Sequence, residues 1–274
     1  MTDPHKECSN SIVLTGLVIA KNDERTIRDC LNSLKWVDEI IVVDAESEDA
    51  TVEYAKEFTE HVFIKPWAGF GPQKNFAIEQ SRGVWILIVD ADERVTDDLM
   101  DTIRELIRSG PKSHIAGYRI PRRNYFYGRW MQYGGMFPDL QVRLFRKDRG
   151  RYDDTLLHEH LVLHGDIEQL KTCLDHYSVP TIQHHVRKMI QYTSLGAQEK
   201  LKTLRKITYR SLLGHHAGTM LKTLVLRRGW NDGVHGCVAA MFAGFYTFVK
   251  YAKAYEILKS VSSGSGGNHG ADRL

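Results

Sequence analysis

The chain has 274 residues, 42% of them hydrophobic, with a formal net charge of +3 and a pI near 8.6. That is enough apolar material for a sizeable core, which excludes a disordered protein, and the basic excess is too mild to point to nucleic acid. The four cysteines, at 8, 30, 173 and 237, form no C-x-x-C pair and no metal spacing, so they read as reduced thiols of a cytosolic protein.

Residues 1–10 are polar and lack a basic head before an apolar run, which reads as a flexible N-terminus rather than a signal peptide. Residues 11–20 (SIVLTGLVIA) are apolar and β-branched, a first strand ending at Ala20. The polar loop Lys21-Asn22-Asp23-Glu24-Arg25 follows, and Ile27, Leu31 and Leu34 recur at helical spacing. A second strand, 39–43, stops at Asp44, and the loop 44–51 caps a helix over 52–58. A short strand (61–64), a Gly/Pro loop (65–72) and a helix from Gln73 to Gln80 come next.

Residues 84–89 are apolar without alternation, as in a strand buried on both faces of a parallel sheet. The run ends in Asp90, Asp92 and Glu93, where open α/β sheets bind ligands. Two residues apart on an extended chain, Asp90 and Asp92 would leave the same face. They would repel unless a cation or hydroxyl sat between them. Hard oxygen donors with no nearby cysteine suit Mg²⁺ or Mn²⁺ shared with substrate phosphates. A plain strand-to-helix cap explains Thr96, Asp97 and Asp98 but not Asp90 and Asp92; Glu93 fits either account. Strands alternating with short helices predict right-handed βαβ crossovers and a parallel sheet with helices on both faces. Acids at three carboxyl-end loops make a site, and the absence of G-x-G-x-x-G after the first strand argues against a dinucleotide enzyme.

After a helix over 97–109, residues 117–121 read as a strand. The aromatic and glycine-rich run 122–135 reads as a covering loop or a platform for sugar rings. Residues 141–146 alternate polar and apolar, as an edge strand would. In Leu157-His158-Glu159-His160 the fourth-ligand pattern of a metal site is missing, and Glu159 is a candidate general base. From 186 onward three helices are expected, over 186–207, 215–228 and 231–259. The last sets Phe242, Phe245, Tyr246, Phe248, Val249 and Tyr251 beside Lys250 and Lys253, a pattern suited to an interface with anionic lipid. Residues 233–249 fall just short of the usual crossing length. The expected organisation is a catalytic domain over 11–180, a helical, membrane-associating region over 181–259 and a disordered tail over 260–274.

The chain resembles a known family through Asn22-Asp23-Glu24, V-V-D-x-x-S-x-D-x-T around Asp44, K-N-x-A at Lys74 to Ala77 and D-A-D at Asp90 to Asp92. It looks like the family 2 inverting glycosyltransferases, which have the A-type (GT-A) Rossmann-like nucleotide-diphospho-sugar fold. D-A-D-E-R, P-D-L-Q-V-R-L-F-R, L-H-E and the ending F-V-K-Y-A-K resemble the lipopolysaccharide core branch, whose members add β-glucose to an inner-core heptose. The resemblance implies a UDP-sugar donor, a glycolipid acceptor, a divalent metal (Mg²⁺ or Mn²⁺) and a peripheral place on the cytoplasmic face of the inner membrane. By position it puts Asp44, Glu24, Lys74, Asn75 and Asp90 on the donor, Asp92 on the metal and Glu159 as catalytic base. Ala20, Asn22, Gln73, Asp139, Arg143, His158 and His176 are further candidates. Ala45 stands where many relatives have a second acid, and His160 follows Glu159 where they have Asp. Two other classes compete: a sugar-nucleotide nucleotidyltransferase, whose signature after the first strand is missing at Ala20 to Arg25, and a non-catalytic membrane-associated scaffold with the same fold.

Overall fold

The computed structural model describes residues 13–153, 160–203 and 207–264. The chain forms two compact units. One contains Met1–Arg123 and Pro138–Ser178, the other Asn124–Phe137 and Val179–Leu274.

The first unit is built on a mixed sheet. Four parallel strands, β1 (Leu14–Ala20), β2 (Glu39–Asp44), β3 (Val62–Ile64) and β4 (Trp85–Asp90), are joined by α1 (Ile27–Asn32), α2 (Thr51–Lys56) and α3 (Phe70–Gln80). In chain order they are followed by β5 (Glu93–Val95), α4 (Asp97–Ser109), β6 (Ile115–Phe126), β7 (Arg129–Trp130, which belongs to the second unit), β8 (Asp139–Arg146), β9 (Gly150–Tyr152), β10 (Leu161–Leu163), β11 (Asp166–Gln169) and β12 (Leu174–Val179). The strand order is β3-β2-β1-β4-β8-β6-β12-β5, with β8 antiparallel to both β4 and β6.

Alternate residues of the parallel strands feed opposite faces. Val18, Val42, Leu87 and Val89 pack with Ile27, Leu31, Leu99 and Ile103 from α1 and α4. Leu17, Ile41, Ile86 and Ile88 pack with Ala77 and Ile78 of α3. A strand with an apolar layer on both sides carries a buried polar residue only with a partner, as Thr15 donates to Glu39 Oε2 at 2.7 Å, so the ligand-facing acids come at its carboxyl end. Helix α4 starts where Thr96 Oγ1 accepts from Leu99 N, with Asp97 and Asp98 in the first turn.

The alternation over 141–146 did not mark an edge: β8 lies between β4 and β6. Its polar side chains face carboxylates rather than water, Gln141 donating to Asp139 and Arg143 to Asp90 and Glu93.

The second unit holds α5 (Ile182–Thr203), α6 (Tyr209–Leu221) and α7 (Gly233–Gly264). Helix α6 begins earlier than the expected residue 215, because Thr208 and Ser211 form a capping box. Helix α7 packs on α6 through the His215–Tyr251 stack, and on α5 through Lys253 Nζ, which donates to Ile190 O at 2.7 Å and Thr193 Oγ1 at 2.9 Å. The turn between α6 and α7 doubles back so closely that a Cβ on Gly236 would lie 1.8 Å from the Gly229 carbonyl oxygen. The aromatic run 124–135 is the end of β6 and a tight hairpin to β7, turning through Tyr127 and Gly128, both at positive φ. Its rings pack within the unit, Phe126 and Tyr127 against His185 and Trp130 against Phe137. Among the described residues no helix is long and apolar enough to cross a membrane.

Candidate active site

Strands β1, β2 and β4 end in register, Ala20 opposite Asp44 and Ile19 opposite Asp90. The strand order reverses between β1 and β4, the switch point at which open α/β sheets leave a crevice.

The loops after β1 and β2 are stitched together by the polar residues of the V-V-D-x-x-S-x-D-x-T stretch. Asn22 N donates to Ser47 Oγ at 2.7 Å, Asp23 N to Thr51 Oγ1 at 2.7 Å and Glu24 N to Asp49 Oδ2 at 3.2 Å. In return Asn22 Oδ1 accepts from Glu48 N at 2.9 Å, and Glu24 Oε2 accepts from Ala50 N at 3.5 Å. Asn22 holds the left-handed conformation this exchange requires, at φ 56°. The buried Asp44 carboxylate accepts from the backbone and hydroxyl of Ser47. Each of its oxygens keeps a second lone pair for a ligand.

The third edge is an ionic cluster. The β4 strand ends at Asp90, residues 91–92 turn, and Glu93 opens β5. The chain is therefore not extended across Asp90 to Asp92, and the two carboxylates part company. Asp90 is taken by Arg143, and Asp92 Oδ1 lies 3.4 Å from His176 Nε2. Glu93 is fully buried between them. Its Oε2 accepts from Asp90 N at 2.9 Å, and its Oε1 from Arg143 Nη2 at 2.5 Å and Arg122 Nη1 at 3.0 Å. Arg122 is held in turn by Asp139 Oδ2 at 2.6 Å. The cation between acids that the sequence called for is thus, at Asp90, a pair of arginines.

Loss of hydration pushes the Asp90 carboxyl up, but Arg143, Lys74 and Arg122 overrule it and hold the group well below the ordinary carboxylate range. Its carboxylates hold the Arg143 guanidinium charged despite burial. Burial, then the charges of Glu93, Asp92 and Asp90, push the Cys30 thiol well up. Cys30 stays a thiol, directed at the Asp90 carbonyl at 3.4 Å.

Helix α3 supplies three sequence candidates. Lys74 is buried, its ammonium 4.9 Å from the Tyr152 ring and close enough to Asp90 to lower its titration. Asn75 spends both polar atoms on the Tyr152 backbone, accepting from its N–H and donating to its carbonyl at 2.9 Å each. It anchors the chain just before residues 154–159. Gln73 Nε2 donates to the carbonyls of Lys65 and Pro66, leaving its buried Oε1 without a hydrogen-bond partner among the described residues. Glu159 and His158 lie outside the described residues. Arg122 and Tyr152 were not singled out in the sequence; the polar positions of β8 were the available signal for an ionic cluster.

Among the described residues no three His, Cys, Asp or Glu side chains converge as a ready metal cage. A divalent cation still fits the donor set. Asp92 is partly exposed with His176 beside it, and Mg²⁺ is usually held by one or two carboxylates together with substrate phosphates and water.

The family model of Glycosyl transferase family 2 matches residues 17–165. The chain is 29% identical to the lipopolysaccharide core biosynthesis glycosyltransferase LpsC of Rhizobium meliloti (strain 1021), over 89% of this chain and 92% of that one. It is 32% identical to an uncharacterized glycosyltransferase of Rickettsia typhi, over 90% and 88%. The crystal structure of S. aureus TarS 1-349 in complex with UDP-GlcNAc aligns with a TM-score of 0.43 at 15% identity, over 96% of this chain and 94% of that one.

Proposed function

Because the chain belongs to glycosyl transferase family 2, we propose that it moves a sugar, glucose first among the candidates, from a UDP-sugar to a hydroxyl of a lipopolysaccharide core or related glycolipid, with inversion. The observation that carries this reading is the meeting of three acid-bearing loops at the carboxyl edge of β1, β2 and β4, beside the buried cations Lys74 and Arg143. The likeness to a protein named for lipopolysaccharide core biosynthesis, over nearly its whole length, supports the acceptor class.

In this reading Asp44 and Glu24 receive the nucleoside, Lys74 faces the diphosphate and Asp90, fixed by Arg143 and Glu93, accepts hydroxyls of the ribose or donor sugar. Asn75 keeps Tyr152 in place as the chain enters the segment that carries Glu159. The Glu159 carboxylate takes the proton of the acceptor hydroxyl as that oxygen attacks the anomeric carbon. The bond from that carbon to the diphosphate oxygen breaks, and its electron pair leaves with UDP. One displacement turns an α-linked donor into a β-glycoside and requires no enzyme nucleophile, consistent with a Cys30 thiol held protonated. Asp92, with His176 beside it, would hold a divalent cation, whose chemistry there would be Lewis-acid stabilisation of a departing diphosphate. The acceptor being a lipid, the protein works at the cytoplasmic face of the inner membrane.

The test is incubation with radiolabelled UDP-glucose or GDP-mannose and a truncated core glycolipid. The expected result is label in the lipid from UDP-glucose, one UDP released per sugar and a β linkage by NMR. Pyrophosphate release from a nucleoside triphosphate, without sugar transfer, would overturn it.

A further inference from the structure

The sequence suggested that the aromatic residues of the last helix meet a membrane together, but the structure sorts them. Phe242 stacks on His185, the Tyr246 hydroxyl donates to the Tyr192 carbonyl and Tyr251 is buried against His215. A different set faces outward. Val234, Cys237, Met241, Phe245 and Tyr255 are exposed, Val234 at 76%, Met241 at 59% and Phe245 at 46%. At 3.6 residues per turn Val234, Cys237, Met241 and Phe245 fall on one line, about 18 Å long, while Tyr255 stands apart beside the exposed Glu256. No charged residue lies in α7 before Lys250. An apolar line of that length with no charge in it is more than a single exposed residue of an ordinary surface.

Charge decides what covers it. Residues 181–260 carry thirteen Lys and Arg against three Asp and Glu. One of the three acids, Asp232, is buried and accepts from the backbone of Gln132 and Tyr133. Lys222, Arg227 and Arg228 are exposed just before the stripe begins. A second copy of the chain would bring this cationic region against itself. The chain's own residues 1–12 and 265–274 offer only Met1, Ile12 and Leu274 as large apolar side chains. A surface that is apolar within and anionic at its boundary matches both features.

The geometry points to the outer stripe of α7, from Val234 to Phe245, as the face that lies in an anionic lipid bilayer, with Lys222, Arg227 and Arg228 on the headgroups. This deepens the reading of a lipid-borne acceptor and rests on it for its purpose, but it is tested separately.

The test is co-sedimentation of the full chain with vesicles of phosphatidylcholine alone, or with a third phosphatidylglycerol, for wild type and Met241→Glu/Phe245→Glu. Wild type is expected on the anionic vesicles only, with binding about tenfold weaker at high salt. The double variant is expected to lose vesicle binding about tenfold or more while UDP binding is unchanged. A folded variant that still sediments with anionic vesicles, or equal wild-type binding to neutral ones, would overturn the inference. So would a wild-type dimer in velocity sedimentation that the substitutions dissociate. Should the double variant not fold, a polarity-sensitive dye on Cys237, in a Cys8→Ser/Cys173→Ser background, gives the same answer. Its emission is expected to shift blue with anionic vesicles, and an unchanged spectrum would overturn the inference. Failure of wild type to bind UDP would sink the transferase reading and leave the vesicle result standing.

Discussion

Glu93 offers the sharpest energetic test of the ionic cluster. Its side chain is fully buried, and it shares Arg143 with Asp90 and Arg122 with Asp139. Glu93→Gln keeps the shape and leaves one oxygen for Asp90 N, but removes the negative charge that both guanidiniums face. Breaking a buried pair by neutralising one partner costs about 3–5 kcal/mol. Each arginine retains a second carboxylate, so the low end, about 3 kcal/mol, is expected here. For a folding unit of this size that lowers Tm by about 6–12 °C, read by near-ultraviolet circular dichroism on heating. Asp90→Asn is the comparison, since the Asp90 side chain is 36% exposed and water can replace part of the lost charge; a cost smaller than that of Glu93→Gln is expected. Glu93→Gln melting within about 2 °C of wild type, or Asp90→Asn costing more, would refute the assignment of Glu93 as the hub.

Asn75→Ala strands the buried N–H and carbonyl of Tyr152 and should cost about 2–3 kcal/mol; hydrogen exchange should show lost protection of the Tyr152 amide, and full protection would contradict the clamp. Glu159→Gln should cut sugar transfer strongly while leaving UDP binding unchanged, measured by product formation and calorimetry on the same preparation. Asp90 titrates below its ordinary range in the folded chain, so its stabilisation is complete above that range and is lost as pH falls toward the depressed value. Urea unfolding between neutral and acid pH should therefore show a shallower loss of stability in Asp90→Asn, and an identical slope would rule out Asp90 as a source of the acid sensitivity.

The parallel half of the sheet was legible because its strands are apolar on both faces and end abruptly in polar loops. The acids at Asp44 and Asp90 stood out for the same reason. What was misread has one cause. Along β8 the alternation of Gln141 and Arg143 with apolar residues was taken for an edge strand, whereas those side chains face Asp139, Asp90 and Glu93 inside the sheet. A periodic pattern reports that one side of a strand is polar, and it does not report whether the polar side is solvent or buried charge. The turn at Ala91–Asp92 was invisible for a related reason, since it depends on Glu93 Oε2 closing back onto Asp90 N. Asn75, which the family pattern associates with the donor, spends its amide on Tyr152, a partner 77 residues away that no local spacing reveals. On α7 composition identified the apolar character, but only the packing against α5 and α6 separated the inner aromatics from the outer stripe.

The central claim, a metal-assisted UDP-sugar site at this sheet edge, is met most directly by calorimetric titration of UDP, UDP-glucose and GDP-mannose into wild type and Asp92→Asn, with and without Mn²⁺. The account predicts binding of UDP and UDP-glucose that is strengthened by Mn²⁺, loses that dependence in Asp92→Asn, and is absent for GDP-mannose. Binding of none of the three ligands by a folded wild type, or a metal dependence that Asp92→Asn leaves intact, would contradict it.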